Sequence, residues 1–209
     1  MVQIIQTQTV NITYIKEKFG LQLAESDQFF TEWFENLPEI TTQEKQTLDR
    51  VKTNYLSLVE RRPISEEMVK MVVLAPLLDL AGFYRSPFDI ETEKSIEITL
   101  EDAGEIFRGR IDVLVIKQQF WLLVIESKSA GFSLLTAIPQ ALAYMLSNPD
   151  PKRPGFGLVL NGSDFIFLKL TKQNPPIYAF SDEFTLLKRE NELYKVLSIL
   201  KKLSQILIE

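Results

Sequence analysis

No cysteine and no histidine occur anywhere in the 209 residues. Their absence excludes disulfides, thiol nucleophiles, the Ser-His-Asp triad and every zinc site built on thiolate or imidazole. Any metal must be held by oxygen, the ligand type that suits Mg²⁺ and Mn²⁺. Positive charge is also in deficit: 23 Lys and Arg stand against 28 Asp and Glu, a net charge of −5. Residues 1–60 hold −4 of it, five basic against nine acidic. Polyanion-binding proteins are often strongly basic, so this balance counts modestly against broad nucleic-acid affinity and leaves room only for a local basic groove. Long apolar runs are missing as well, none approaching the roughly 18 residues of a membrane span. The opening MVQIIQTQTVNITYIKEKFG lacks the apolar core of a signal peptide. A cytoplasmic protein without a membrane partner is expected.

What is present is ordinary for a globular chain, 45% hydrophobic and 24% charged, and the length suits one domain or one domain with an appendage. Residues 1–62 read as a helical extension: ITYIKEKFG closes on Gly20, DQFFTEWFENL runs to Pro38, and TTQEKQTLDRVKTNYLSLVERR has near-helical apolar spacing with Thr41 or Thr42 before Glu44 as a capping box. Its acidity suggests a cap or a docking surface, for a protein partner or a second copy of the chain. Phe29, Phe30, Trp33 and Phe34 are expected in a core or dimer contact ahead of base stacking.

From residue 63 to 209 the order changes. Ser65 caps a buried helix SEEMVKMVVLAPLLDLAG, kinked or broken at Pro76 and stopped at Gly82. KSIEITL alternates, and FRGRIDVLVI and FWLLVIESKS are nearly continuous apolar runs, so three strands follow. A turn at residues 117–120 pairs the last two. FSLLTAIPQALAYMLS is helical, Asn161-Gly162 joins two more strands, and DEFTLLKRENELYKVLSILKKLSQILI forms a closing helix with Leu187, Leu193, Val196, Leu197, Leu200 and Leu203 available to pack. The reading is an α/β sandwich with a mixed sheet.

Charges interrupt the apolar strands at Asp112 and at Glu126-Ser127-Lys128. Residues i and i+2 of a strand share a face, so Glu126 and Lys128 point together, and the paired strand brings Asp112 near them. Two acids and one amine at the edge of an apolar sheet are costly unless paired or metal-bound. The set suits phosphodiester hydrolysis: Asp112, Glu126 and the Ser127 carbonyl as hard ligands for Mg²⁺ or Mn²⁺, with Lys128 offsetting developing charge.

Asp112, a gap of thirteen residues, then Glu126-x-Lys128 resembles the PD-(D/E)xK restriction-endonuclease-like superfamily, with Ile111 where that pattern has proline. Gln140 and Tyr144 in PQALAYML resemble the Q-x-x-x-Y motif of the N-terminal nuclease domain of type I restriction enzyme R subunits. Helix 66–83 resembles that family's opening helix. The similarity covers roughly residues 63–172. It implies a three-layer restriction-endonuclease-like core with a mixed β-sheet and a metal-dependent endonuclease acting on DNA. It also implies an acidic residue from the opening helix, Glu66 first and Glu67 second, at the metal site, and substrate contact by Gln140 and Tyr144. No G-x-x-x-x-G-K-[ST] loop occurs, so ATP is not expected as a partner. Arg108, Arg110, Lys152, Arg153, Lys169 and Lys172 flank the proposed site and could meet phosphates. Two alternatives stay open: a structural ion pair, and a nuclease fold that binds or scaffolds without cutting.

Overall fold

A computed structural model describes residues 3–100, 105–117 and 120–207. In chain order the elements are β1 (Gln3–Gln6), α1 (Ile12–Phe19), β2 (Gln22–Leu23), α2 (Thr42–Val59), α3 (Glu66–Val69), a π-helical turn (Lys70–Leu74), α4 (Ala75–Leu80), β3 (Asp89–Leu100), β4 (Glu105–Lys117), β5 (Phe120–Ser127), α5 (Leu134–Leu146), β6 (Gly155–Leu160), β7 (Asp164–Thr171), β8 (Ile177–Phe180), β9 (Phe184–Thr185) and α6 (Leu193–Ile206). The strands form one mixed sheet. Its main path runs β1-β4-β5-β6-β7-β8-β2, with β3 paired to β4 and β9 to β7. The β4–β5 and β6–β7 pairs are antiparallel, whereas β5–β6 is parallel and crosses over through α5.

Alternation along the strands sorts side chains into two cores. Leu123, Ile125, Phe156, Leu158 and Leu160 pack with α2, the α3–α4 helix and α6, while Val124, Val159, Ile166 and Leu168 pack with α1 and α5. Helices therefore cover both faces, the three-layer α/β arrangement that buried, continuously apolar strands require. α5 is buried on every side from Ala137 to Met145, because the sheet covers one face and the N-terminal segment another.

That segment departs from expectation. Residues 1–62 do not form a purely helical extension: β1 pairs with β4, and β2 pairs with β8 at the far end of the same sheet. Ile15 of α1 joins the α5 core, and Leu48, Val51 and Tyr55 of α2 join the other. The aromatic stretch is a short 3₁₀ turn, Asp27–Phe29, rather than a helix. Two of its rings go inward, Phe30 being buried against Phe156 and Trp33 meeting Phe184 edge-on, while Phe34 is exposed. α2 begins as read, with Thr41 Oγ1 accepting from the Glu44 N–H at 3.2 Å and Glu44 accepting from the Thr41 N–H at 2.7 Å. Pro76 neither breaks nor sharply ends its helix. It sits just inside α4, directly after the π turn, at a helix start where its missing N–H is tolerated. The closing helix starts only at Leu193; β9 and turns precede it, and Leu187 is exposed. β8 was not expected. The turn residues 118 and 119 lie outside the described residues, but Lys117 pairs with Phe120 as a hairpin requires.

β4 bears the site. β3 pairs along most of its length, while its partners β1 and β5 meet it at different stretches, residues 105–108 and 113–117. In the gap between those stretches, the Tyr144 hydroxyl of α5 accepts the Arg110 N–H at 3.2 Å, where neither β1 nor β5 pairs. Gln140 Nε2 donates to the same oxygen at 2.7 Å, and Thr7 Oγ1 lies 3.0 Å away. Gly109 permits the approach: a Cβ there would overlap Thr7 Oγ1 and come 2.6 Å from Tyr144 Cε1. Replacing Gly109 by Ala is therefore expected to destabilise the fold by about 1–3 kcal/mol in urea denaturation, as overpacking does. Tyr144→Phe, which takes the acceptor from Gln140 Nε2 and the Arg110 N–H, is expected to cost about 1–3 kcal/mol. Because both changes act on one contact, the double variant should fall short of their sum.

Candidate active site

Phe107 and Ile111 of β4 face the α5 core, yet Val113 and Val115 face the opposite one. The face on which odd-numbered side chains lie thus inverts across Asp112. β3 changes in step, Ile90 packing on one core and Ile96 on the other. Between them Glu93 adopts φ +55°, a left-handed conformation that is uncommon away from glycine and that marks functional sites often enough to warrant attention. The inversion falls where β5 stops pairing with β4, so Asp112 meets the C-terminal end of β5. Crevices beyond the carboxyl ends of strands are the usual ligand sites of α/β sheets.

Three of the residues singled out in the sequence meet there. Asp112 is 7% exposed and Glu126 1%. Asp112 Oδ2 accepts the Ser127 N–H at 2.7 Å, which ties β4 to β5 beyond their last paired residues. Lys128 Nζ donates to Glu126 Oε1. The other carboxyl oxygen of Glu126, Oε2, is buried with no hydrogen-bond partner, as is Ser127 Oγ. Glu66, in the first turn of α3, approaches through an intermediary: Lys70 Nζ lies 3.0 Å from Glu66, 3.1 Å from Glu93 and 3.2 Å from Asp112 Oδ1. Lys70 and Glu93 escaped the sequence reading. The one available signal was the i,i+4 spacing of Glu66 and Lys70, which is common on any helix.

Burial dominates the electrostatics. It raises the Asp112 carboxyl to about 6; Glu66 adds repulsion, against the lowering effect of the Ser127 N–H and Lys70. Burial and then the charge of Asp112 push Glu126 up to about 8, despite the opposing Lys128. For Lys70, burial alone would lower the value, but Glu66, Asp112 and Glu93 outweigh it and hold the ammonium above its ordinary range. A carboxyl pair spread over this range in a buried cleft is a mark of a functional site.

The remaining candidates fall elsewhere. Gln140 and Tyr144 are 3% and 0% exposed; the Tyr144 hydroxyl, held by Gln140, binds the backbone of β4 two residues from Asp112, so the direct substrate contact expected of them does not fit their burial. Glu67 points to solvent side of the same turn and lines a cavity of about 370 Å³ with Lys70, Met71, Tyr84, Ile90 and Glu93. Most of the flanking basic residues are engaged: Arg108 with Glu97, Arg110 with Glu93, Arg153 with Asp150, Lys169 with Glu32 and Lys172 with the Asn148 carbonyl. Each of these five cations has a carboxylate or carbonyl within reach, so a phosphate would have to compete with that partner.

The donor set fits a hard divalent ion in its chemistry: carboxylate oxygens, an orphaned Glu126 Oε2, and more acid than base. Among the described residues, however, no group of three acidic side chains is disposed as it stands to hold a metal ion, and the point where Glu66, Glu93 and Asp112 converge is taken by Lys70 Nζ. No family model matches this sequence, and no curated protein does. Among solved structures it is similar to a chain described as a fragment of an HsdR subunit of a type I restriction enzyme from Vibrio vulnificus YJ016. That similarity has 18% identity and a TM-score of 0.42, and covers 59% of this chain. The chain spans only 24% of that structure's length, and at this level neither activity nor partner is transferred. No helix of the described residues is long and apolar enough to cross a membrane.

Glu126 takes up its proton more readily folded than unfolded, since its folded value lies above the ordinary 4.5. The unfolded chain thus binds fewer protons between those two values, and metal-free stability is expected to fall as pH rises from about 5 to 8, by up to about 1.4 kcal/mol per pH unit for one proton. Thermal denaturation across that range should show the decline in the wild type and a flatter profile in Glu126→Gln.

Proposed function

We propose that this protein is a metal-dependent nuclease that hydrolyses DNA phosphodiester bonds, of the kind found in the nuclease domain of type I restriction R subunits. The observation that carries the reading is the pairing of two buried carboxylates, Asp112 and Glu126, with Lys128 at the end of β5. Asp112, Glu126 and the Ser127 carbonyl would hold Mg²⁺ or Mn²⁺, with Glu66 assisting. When bound, the ion would polarise the phosphate and lower the pKa of a water ligand. Lys128 places a compact positive charge where negative charge would develop on the phosphate, and its position depends on Glu126. Ser127 contributes its N–H, which fixes the rotamer of Asp112. Gln140 and Tyr144 act one step back, by holding β4 at Arg110 so that Asp112 is presented correctly. The cavity of about 370 Å³ beside Lys70 offers space for substrate groups flanking the phosphate.

A second reading has one observation in its favour. Lys70 already satisfies Asp112 and Glu66, as it would in a nuclease fold that had become a binding or scaffold module. DNA cleavage separates the two. In an assay with Mg²⁺ or Mn²⁺, wild type should cut, while Asp112→Ala and Lys128→Ala should lose about 10²-fold or more, the usual cost of removing an electrostatic catalytic group. Equal rates in all three proteins, or no cleavage by any, would leave the scaffold reading.

A further inference from the structure

Lys70 is the member of the cluster that no motif anticipates. It opens the π-helical turn Lys70–Leu74, a widening that frequently accompanies functional positions. Its ammonium gathers three carboxylates from three separate elements: Glu66 of α3 at 3.0 Å, Glu93 of β3 at 3.1 Å and Asp112 of β4 at 3.2 Å. A structural ion pair needs one partner. Several convergent carboxylates form the surroundings that a hard divalent ion takes.

Charge balance leads to the same place. Glu93 has a second partner in Arg110, at 2.6 Å. Once ionised, as a bound cation would make them, Glu66, Asp112 and Glu126 carry three negative charges against the two positive charges of Lys70 and Lys128, a deficit of one. Exchanging the ammonium of Lys70 for a divalent ion closes that deficit. The side chain has a way out, since it is 19% exposed and lines the open cavity with Met71 and Tyr84. A lysine stem can lie along such an apolar wall while its amine reaches water.

We propose that Lys70 is a displaceable counter-cation, which holds Glu66, Glu93 and Asp112 together in the metal-free protein and yields that position to a divalent ion. The proposal rests on the metal-site reading given above. Competition from Lys70 lowers the apparent metal affinity by the fraction of molecules in which the position is free. It also keeps the carboxylates from repelling one another before the metal arrives.

Isothermal titration calorimetry with Mn²⁺ on wild type and Lys70→Met tests it. The variant keeps the apolar stem and loses the charge, and its Mn²⁺ affinity is expected to rise about tenfold or more. A second measurement needs only the wild type: reductive methylation of lysines followed by peptide mass spectrometry. Lys70 should be protected without metal and react several-fold faster with saturating Mn²⁺, while Lys45 is unchanged. Measurable Mn²⁺ binding with an equal or weaker affinity in Lys70→Met, or Lys70 labelling that Mn²⁺ does not alter, would overturn the displacement and leave the metal site standing. Binding by neither protein would remove both, and a variant that does not fold leaves the decision to the labelling.

Discussion

Burying two carboxylates side by side is the constraint around which this molecule is arranged. Asp112 and Glu126 are both nearly inaccessible to solvent, and charge in such a place is tolerated only when partners are fixed around it. The partners come from every direction: the Ser127 N–H from β5, Lys128 from the segment after it, and Lys70 from the helix above. The supply is incomplete, for Glu126 Oε2 still lacks a partner. An apolar pair at these positions would pack without any of this apparatus, so the arrangement makes sense chiefly as the cost of a site.

The fold delivers that site through a break in its own regularity. Along most of the sheet the alternation of side chains simply divides two cores. At Asp112 and Glu93 it inverts, with one residue held in the left-handed region. The N-terminal segment then takes a position that its composition did not suggest. β1 occupies a stretch of β4 separate from that of β5, and Thr7 helps to seat Tyr144 where neither strand pairs. A segment that reads as an acidic appendage is thereby part of the wall behind the carboxylates.

Particular residues show where sequence reading succeeds. The capping box at Thr41 and Glu44 is local, so four residues suffice to announce it. The strands β4 and β5 are apolar enough to be legible alone, and their short connection makes them neighbours, which is why Asp112 and Glu126-Ser127-Lys128 could be placed together. Lys70 could not be found this way, because its partner Asp112 lies 42 positions away and Glu66 is the one partner within reach of a helical spacing rule. Nor could the aromatic stretch from Phe29 to Phe34, whose helical spacing gave way to tertiary packing against Phe156 and Phe184.

By itself the sequence determined which chemistries are closed to the protein: without cysteine or histidine, disulfides, thiol nucleophiles and thiolate or imidazole metal ligands are excluded. It also determined the alternation of helices and strands, since hydrophobic periodicity is written in consecutive residues. Tertiary structure alone decided that the N-terminal residues belong to the sheet, that Tyr144, held by Gln140, binds backbone inside the protein, and that a lysine from the opening helix stands among three carboxylates. Each of those depends on contacts between distant segments, and the free energy of such contacts is set by what the folded chain brings within a few ångströms rather than by any local pattern.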